Sequence, residues 1–153
     1  MNKLRFVVDT TALISYFSDL FKQGSQISKR ALSIIENAFL EEDSAVIIIP
    51  SIVFVEIFDK WFRGTKIVDE EFRARFIVDV FGTIRQASNF EIREIDAEVL
   101  ERFLSLEDLD INLENHDRII LASAIVLESP LITSDGKIIS YIRKHRVASS
   151  FIS

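Results

Sequence analysis

Apolar and polar positions along the chain fall into two alternating rhythms. Leu4 to Val8 is a short apolar run with β-branched residues and predicts a buried strand. Asp9, Thr10 and Thr11 follow, and Ala12 to Phe17 begins a helix. Asp9 and both threonines are good N-cap residues, and a threonine in that role would free Asp9 for another task. Ser28 to Glu42 predicts a second helix, with Leu32, Ile35 and Phe39 on one face. Val46 to Ile49 reads as a second buried strand closed by Pro50, after which Ser51 caps a helix through about Phe62. Val68 to about Ala87 predicts a long amphipathic helix, because Phe72, Phe76, Val80 and Ile84 recur at every fourth position. Phe90 to Ile95 alternates and predicts a third strand, and Asp96 opens a helix through about Leu106.

Asn115 is the expected N-cap of a helix from His116 to Glu128. The small residues Ala122, Ser123 and Ala124 in its middle let it lie close to a sheet. Pro130 ends this segment, and Leu131 to Thr133 predicts a fourth strand. Ser134, Asp135 and Gly136 turn into a last helix, Lys137 to His145, and Val147 to Ile152 is the expected final strand. Strands alternating with helices predict an α/β fold of three layers, α/β/α, around a central, mainly parallel sheet. No repeat, linker or low-complexity tract interrupts residues 1–153, which read as a single domain. In such sheets ligands bind beyond the C-terminal ends of the strands, where the strand order switches. Asp9 and Asp135 both stand just past a strand.

Composition narrows the chemistry. The absence of cysteine excludes disulfides, thiolate zinc sites and a cysteine nucleophile, and fits a cytoplasmic protein. No secretory signal is visible at the N-terminus. The longest apolar stretch, Ala45 to Phe58, is interrupted by Pro50, Ser51 and Glu56 and is too short and polar to span a membrane. The net charge of −6 argues against nonspecific electrostatic binding of nucleic acid. It does not argue against a nuclease, because bound divalent ions reverse the local sign of a carboxylate cluster.

Four acids stand out. Glu56 is the one charge within Ile52 to Phe58, and a buried carboxylate there needs an ion-pair partner or a metal. Taken singly, Asp9 reads as a helix cap, Asp117 as a helix-dipole acid and Asp135 as a turn residue. Together they lie on one edge of the predicted sheet, where like charges repel unless a cation sits among them. Oxygen-only ligands suit Mg²⁺ or Mn²⁺, which activate water and orient a phosphodiester without a histidine base.

In their order and spacing these segments resemble the PIN-domain ribonuclease family over nearly the whole chain. The resemblance rests on Val7-Val8-Asp9-Thr10-Thr11, on Glu56 after Pro50-Ser51, on His116-Asp117-Arg118 through Ala124, and on Leu131 to Asp135. It implies that Asp9, Glu56, Asp117 and Asp135 are catalytic and bind Mg²⁺ or Mn²⁺, that Thr133 and Ser134 support the site, and that the substrate is RNA. Short members of the family resemble VapC-type toxins, so the resemblance further implies a homodimer held by a small antitoxin protein. Ile138 stands where family members often carry an aromatic residue. A non-toxin nuclease in RNA processing or decay, and a non-catalytic PIN-fold binding module, are the competing readings.

Arg118, Lys137, Arg143 and Lys144, with Arg146, are candidates for phosphate contact, although a solvated helix face explains a basic cluster equally well. His116 and His145 read as solvent-facing residues. Asp108 to Asn112 lacks the glycine and the closing glutamate of a calcium loop. A haloacid-dehalogenase-type phosphatase needs a second Asp at the position of Thr11, and a receiver domain needs paired acids after the first strand. Tyr16, Phe17, Leu20, Phe21, Phe58, Trp61 and Phe62 are core candidates, and any that stay exposed would mark a dimer or antitoxin surface.

Overall fold

The computed structural model describes residues 3–41, 45–63, 70–107, 110–145 and 150–153. Glu42, Val68, Asp108, Leu109, Arg146 and Val147, and the side chain of Phe62, lie outside the described residues. The elements in chain order are β1 (Arg5–Val8), α1 (Thr10–Tyr16), α2 (Ser18–Phe21), α3 (Lys29–Leu40), β2 (Val46–Pro50) and α4 (Ile52–Ile57). They continue with α5 (Glu70–Arg75), α6 (Thr83–Gln86), β3 (Phe90–Arg93), α7 (Ala97–Ser105), α8 (Asn115–Val126), β4 (Leu131–Ile132), α9 (Gly136–His145) and β5 (Phe151–Ile152). Wider π-helical turns extend α4 through Phe58–Arg63 and join α5 to α6 through Phe76–Gly82.

The described strands form one five-stranded sheet in the order β3-β2-β1-β4-β5, with every pairing parallel. With its helices this is the three-layer α/β/α arrangement expected from the alternation of elements. Val7, Ile47, Ile48, Ile49, Leu131 and Ile132 are all fully buried, as continuous apolar runs in parallel strands require. The small residues of α8 serve as expected: Ala122 and Ala124 are fully buried and the helix contacts β1 and β2.

Several helix starts differ from the sequence expectation by a residue or in the identity of the cap. Asp9 itself caps α1, accepting from the Ala12 amide at 2.9 Å, so Thr10 and Thr11 do not take that role. Ser51 makes no side-chain cap to α4, and α8 begins at Asn115 with Glu114 in the cap position. Ser28 and Asp96, the residues expected to open α3 and α7, stand just before them and cap them with their side chains. The periodic residues Phe76, Val80 and Ile84 are buried although their helix widens into π-turns between α5 and α6. Of the aromatic candidates, Phe21 is buried, Tyr16, Phe17 and Trp61 are partly buried against the core, and Phe58 is exposed.

Candidate metal centre

The chain leaves β1 to build β2 and β3 on one side and returns to place β4 and β5 on the other, so the strand order switches between β1 and β4. The register Val8↔Ile132 sets Asp9 beside Thr133 at the C-terminal ends of these two strands. Here a cavity of about 760 Å³ opens, lined by Asp9, Glu56, Asp117 and Asp135 together with Thr10, Thr11, Lys60, Glu114 and Lys137. All four sequence-predicted acids therefore meet at one site, delivered by the end of β1, by α4, by the first turn of α8 and by the turn after β4.

Hydroxyl and amide donors hold two of the carboxylates. Asp9 Oδ1 accepts from Thr11 Oγ1 at 2.8 Å and from the Ala12 amide, while Oδ2 accepts from the Thr133 hydroxyl. Thr133 Oγ1 accepts in turn from the Asp135 amide at 2.9 Å, and Thr11 Oγ1 from the Ser134 amide at 3.2 Å. Asp135 Oδ1 caps α9 through the amides of Lys137 and Ile138, at 2.9 and 3.1 Å. Ser134 Oγ is buried and has no hydrogen-bond partner among the described residues, so of the two expected supporting residues Thr133 holds Asp9 by its side chain and Ser134 contributes its backbone.

Glu56 is 6% exposed and is held by three neighbours. The Thr10 hydroxyl donates to Oε2, Lys60 Nζ lies 2.7 Å from Oε1, and His116 Nε2 lies 3.0 Å from the same oxygen. His116 is not the solvent-facing residue expected from its place at a helix start. Its side chain is 23% exposed and also approaches Glu114 and Asp117. His145 is half-buried too, against the Tyr141 ring. Lys60 and His116 were missed by sequence reasoning. The spacing of Glu56 and Lys60, four apart on one helix, carried a signal for the first.

The electrostatics are those of crowded anions. Burial raises the Asp9 carboxyl to about 7 against the pull of its three hydrogen bonds, and nearby Asp135 raises it further. Burial also raises Asp117 to about 6, with Asp135, Glu56 and Glu114 adding to the shift and His116 opposing it. The hydrogen bond to Glu56 holds the Lys60 ammonium above its ordinary value. Four carboxylates around one cavity, two of them held above the ordinary carboxylate range, form a donor set that fits a hard divalent ion.

The basic residues divide. Lys137 lines the cavity. Arg118 is buried, donates to the Leu106 carbonyl and lies over the Phe103 ring at 5.7 Å, so it is not presented to the cavity. Arg143 lies over Phe151, and Lys144 pairs with Asp110 at 2.8 Å. Ile138 is fully buried in α9.

The PIN domain family model matches residues 6–144. No curated protein matches the sequence. Among solved structures, VapBC2 from Rickettsia felis, bound to a DNA fragment from its promoter, aligns with a TM-score of 0.62 at 18% identity, covering 97% of each chain. FitAcB from Neisseria gonorrhoeae aligns with a TM-score of 0.64 at 14% identity, over 97% of this chain and 96% of that one. A toxin-antitoxin complex from Klebsiella pneumoniae aligns with a TM-score of 0.53 at 24% identity, over 88% of this chain and 89% of that one. At these identities the likeness is one of fold.

Proposed function

Because the chain belongs to the PIN domain family, we propose that it is a Mg²⁺- or Mn²⁺-dependent endoribonuclease that hydrolyses RNA phosphodiester bonds, and that it is the toxin of a toxin–antitoxin pair. The observation that carries this reading is the convergence of Asp9, Glu56, Asp117 and Asp135 on one cavity at the strand-order switch. Asp9, Glu56, Asp117 and Asp135 would hold the ion. When bound, the ion supplies Lewis acidity for activating water and for offsetting charge on the phosphodiester.

The remaining residues act on position and charge. Thr11 and Thr133 orient the Asp9 carboxylate, and Thr133 ties that orientation to the Asp135 backbone. Lys60 and Lys137 line the cavity and contact substrate phosphates. The toxin reading draws support from the fold shared with the VapBC2 chain and with a chain of the Klebsiella toxin-antitoxin complex. Val55, Phe58, Ile77 and Val78 are large apolar side chains at least 48% exposed, and they support contacts with a second copy of the chain and with a small antitoxin in the cytoplasm.

The test is cleavage of mixed single-stranded RNA by the purified chain in Mg²⁺, Mn²⁺ or EDTA, with Asp9→Asn and Asp135→Asn beside the wild type. Cutting that requires the metal and is lost in both variants is expected. Metal-replete wild type that cuts none of a diverse set of RNAs would overturn the nuclease reading.

A further inference from the structure

Three carboxylate oxygens converge on a single nitrogen. His116 Nε2 lies 3.0 Å from Glu56 Oε1, 3.1 Å from Glu114 Oε2 and 3.7 Å from Asp117 Oδ1. An imidazole nitrogen carries at most one hydrogen, and one hydrogen makes one strong hydrogen bond. Protonation therefore leaves this arrangement with more anionic oxygens than the ring can serve. The spacing instead suits neighbouring ligands of one ion. Two ligand atoms about 2.1 Å from an octahedral cation and at right angles across it are about 3.0 Å apart. One ligand atom from each of Glu56, His116 and Asp117 falls within 4.8 Å of the other two.

We propose that His116 joins Glu56 and Asp117 as a nitrogen ligand of the divalent ion, and that it makes the site prefer a transition ion such as Mn²⁺ over Mg²⁺. The inference rests on the metal-dependent reading above and deepens it by naming the ion. Mg²⁺ takes oxygen ligands and gains little from an imidazole, whereas first-row transition ions bind imidazole well. Lys60 shares the Glu56 oxygen in this structure, and its side chain is 57% exposed, so it swings to solvent when the ion takes that oxygen. The only other histidine, His145, packs against Tyr141 with ring centroids 4.4 Å apart and is not part of the group of close ligand atoms formed by Glu56, His116 and Asp117.

Mn²⁺ itself is the probe. Pulsed electron paramagnetic resonance of the full chain loaded with Mn²⁺ should show nitrogen coupling that changes when histidine is labelled with ¹⁵N. The coupling should vanish in His116→Gln and persist in His145→Gln. By calorimetry, His116→Gln should weaken Mn²⁺ binding by about tenfold or more and Mg²⁺ binding by less than about threefold. Bound Mn²⁺ without nitrogen coupling, or equal losses for the two ions, would overturn the inference and leave the metal reading standing. Wild type that binds no Mn²⁺ would overturn both. The wild-type spectrum decides the question even if His116→Gln fails to fold.

Discussion

The Thr133 hydroxyl donates a hydrogen bond to Asp9 Oδ2, joining two residues 124 positions apart in the sequence. Thr133 Oγ1 in turn accepts from the Asp135 amide, so one threonine sets the carboxylate after β1 against the backbone that carries the carboxylate after β4. Thr133 is fully buried, and water cannot substitute for it without a change in packing.

Thr133→Val keeps the shape and removes both hydrogen bonds. It leaves Asp9 Oδ2 and the Asp135 amide without their partner, at an expected cost of about 1–3 kcal/mol in urea unfolding. Metal affinity, measured by calorimetry, should fall about tenfold because the ligand is no longer oriented. Thr133→Ser should recover most of both losses. A valine variant with unchanged affinity would show that Asp9 does not depend on this hydroxyl.

The raised Asp9 and Asp117 carboxyls make a signed prediction for the metal-free chain. Folded Asp9 holds its proton to about 7 and Asp117 to about 6, whereas an ordinary Asp gives it up near 3.8. Between these values the folded chain binds protons that the unfolded chain releases. The stability associated with the neutral acids is thus complete below about pH 4 and is lost as pH rises through 6 and 7. In EDTA, Asp9→Asn should gain on wild type as pH rises, reaching about 1 kcal/mol or more by pH 8. Thermal melts of the pair at pH 4, 6 and 8 read this difference directly. Mg²⁺ or Mn²⁺ should stabilise the wild type far more at pH 8 than at pH 5, since protons compete for the same oxygens.

Lys137 is exposed and lines the cavity, while Lys144 on the same helix is paired with Asp110. Lys137→Ala should raise KM for RNA severalfold with little change in kcat, and should flatten the salt dependence of binding by about one phosphate contact. Lys144→Ala should leave all three unchanged. Equal effects of the two substitutions would point to a diffuse field in place of a contact beside the cavity.

Arg118 belongs to packing. Its guanidinium donates to the Leu106 carbonyl and covers Phe103, tying the start of α8 to the end of α7. Arg118→Ala should destabilise the chain by about 2–3 kcal/mol in urea, while the folded fraction keeps its RNA affinity. A selective loss of RNA binding at unchanged stability would reverse this assignment.

The sheet was readable because its strands are buried on both faces, so Val46 to Ile49 and Leu131 to Ile132 appear as uninterrupted apolar runs beside periodic helices. The four acids were readable for a related reason. Asp9 and Asp135 follow strands, Glu56 sits in an otherwise apolar segment and Asp117 opens a helix, and strand ends map onto one edge of a parallel sheet. Two aspects depended on tertiary geometry. Asp9 serves as a helix cap while facing the cavity, a double role that its own segment does not reveal. His116 sits at a helix start, which predicts exposure, yet the approach of α4 to α8 brings Glu56 over it. The widening of the helices at Phe58–Arg63 and Phe76–Gly82 was also hidden, because an extra residue per turn leaves the apolar spacing almost intact.

The position of β4 between β1 and β5 also bears on when the site comes into existence. A chain emerging from the ribosome displays Asp9 and Glu56 early, but β1 gains the neighbour that carries Thr133 and Asp135 only after residues 131–135 have been added. Until then the Asp9 carboxylate lacks the hydroxyl that holds Oδ2, and the cavity lacks one wall. A chain that stops short of residue 131 therefore has only part of the acidic site. The four acids share one cavity only once the segment that follows β4 is in place.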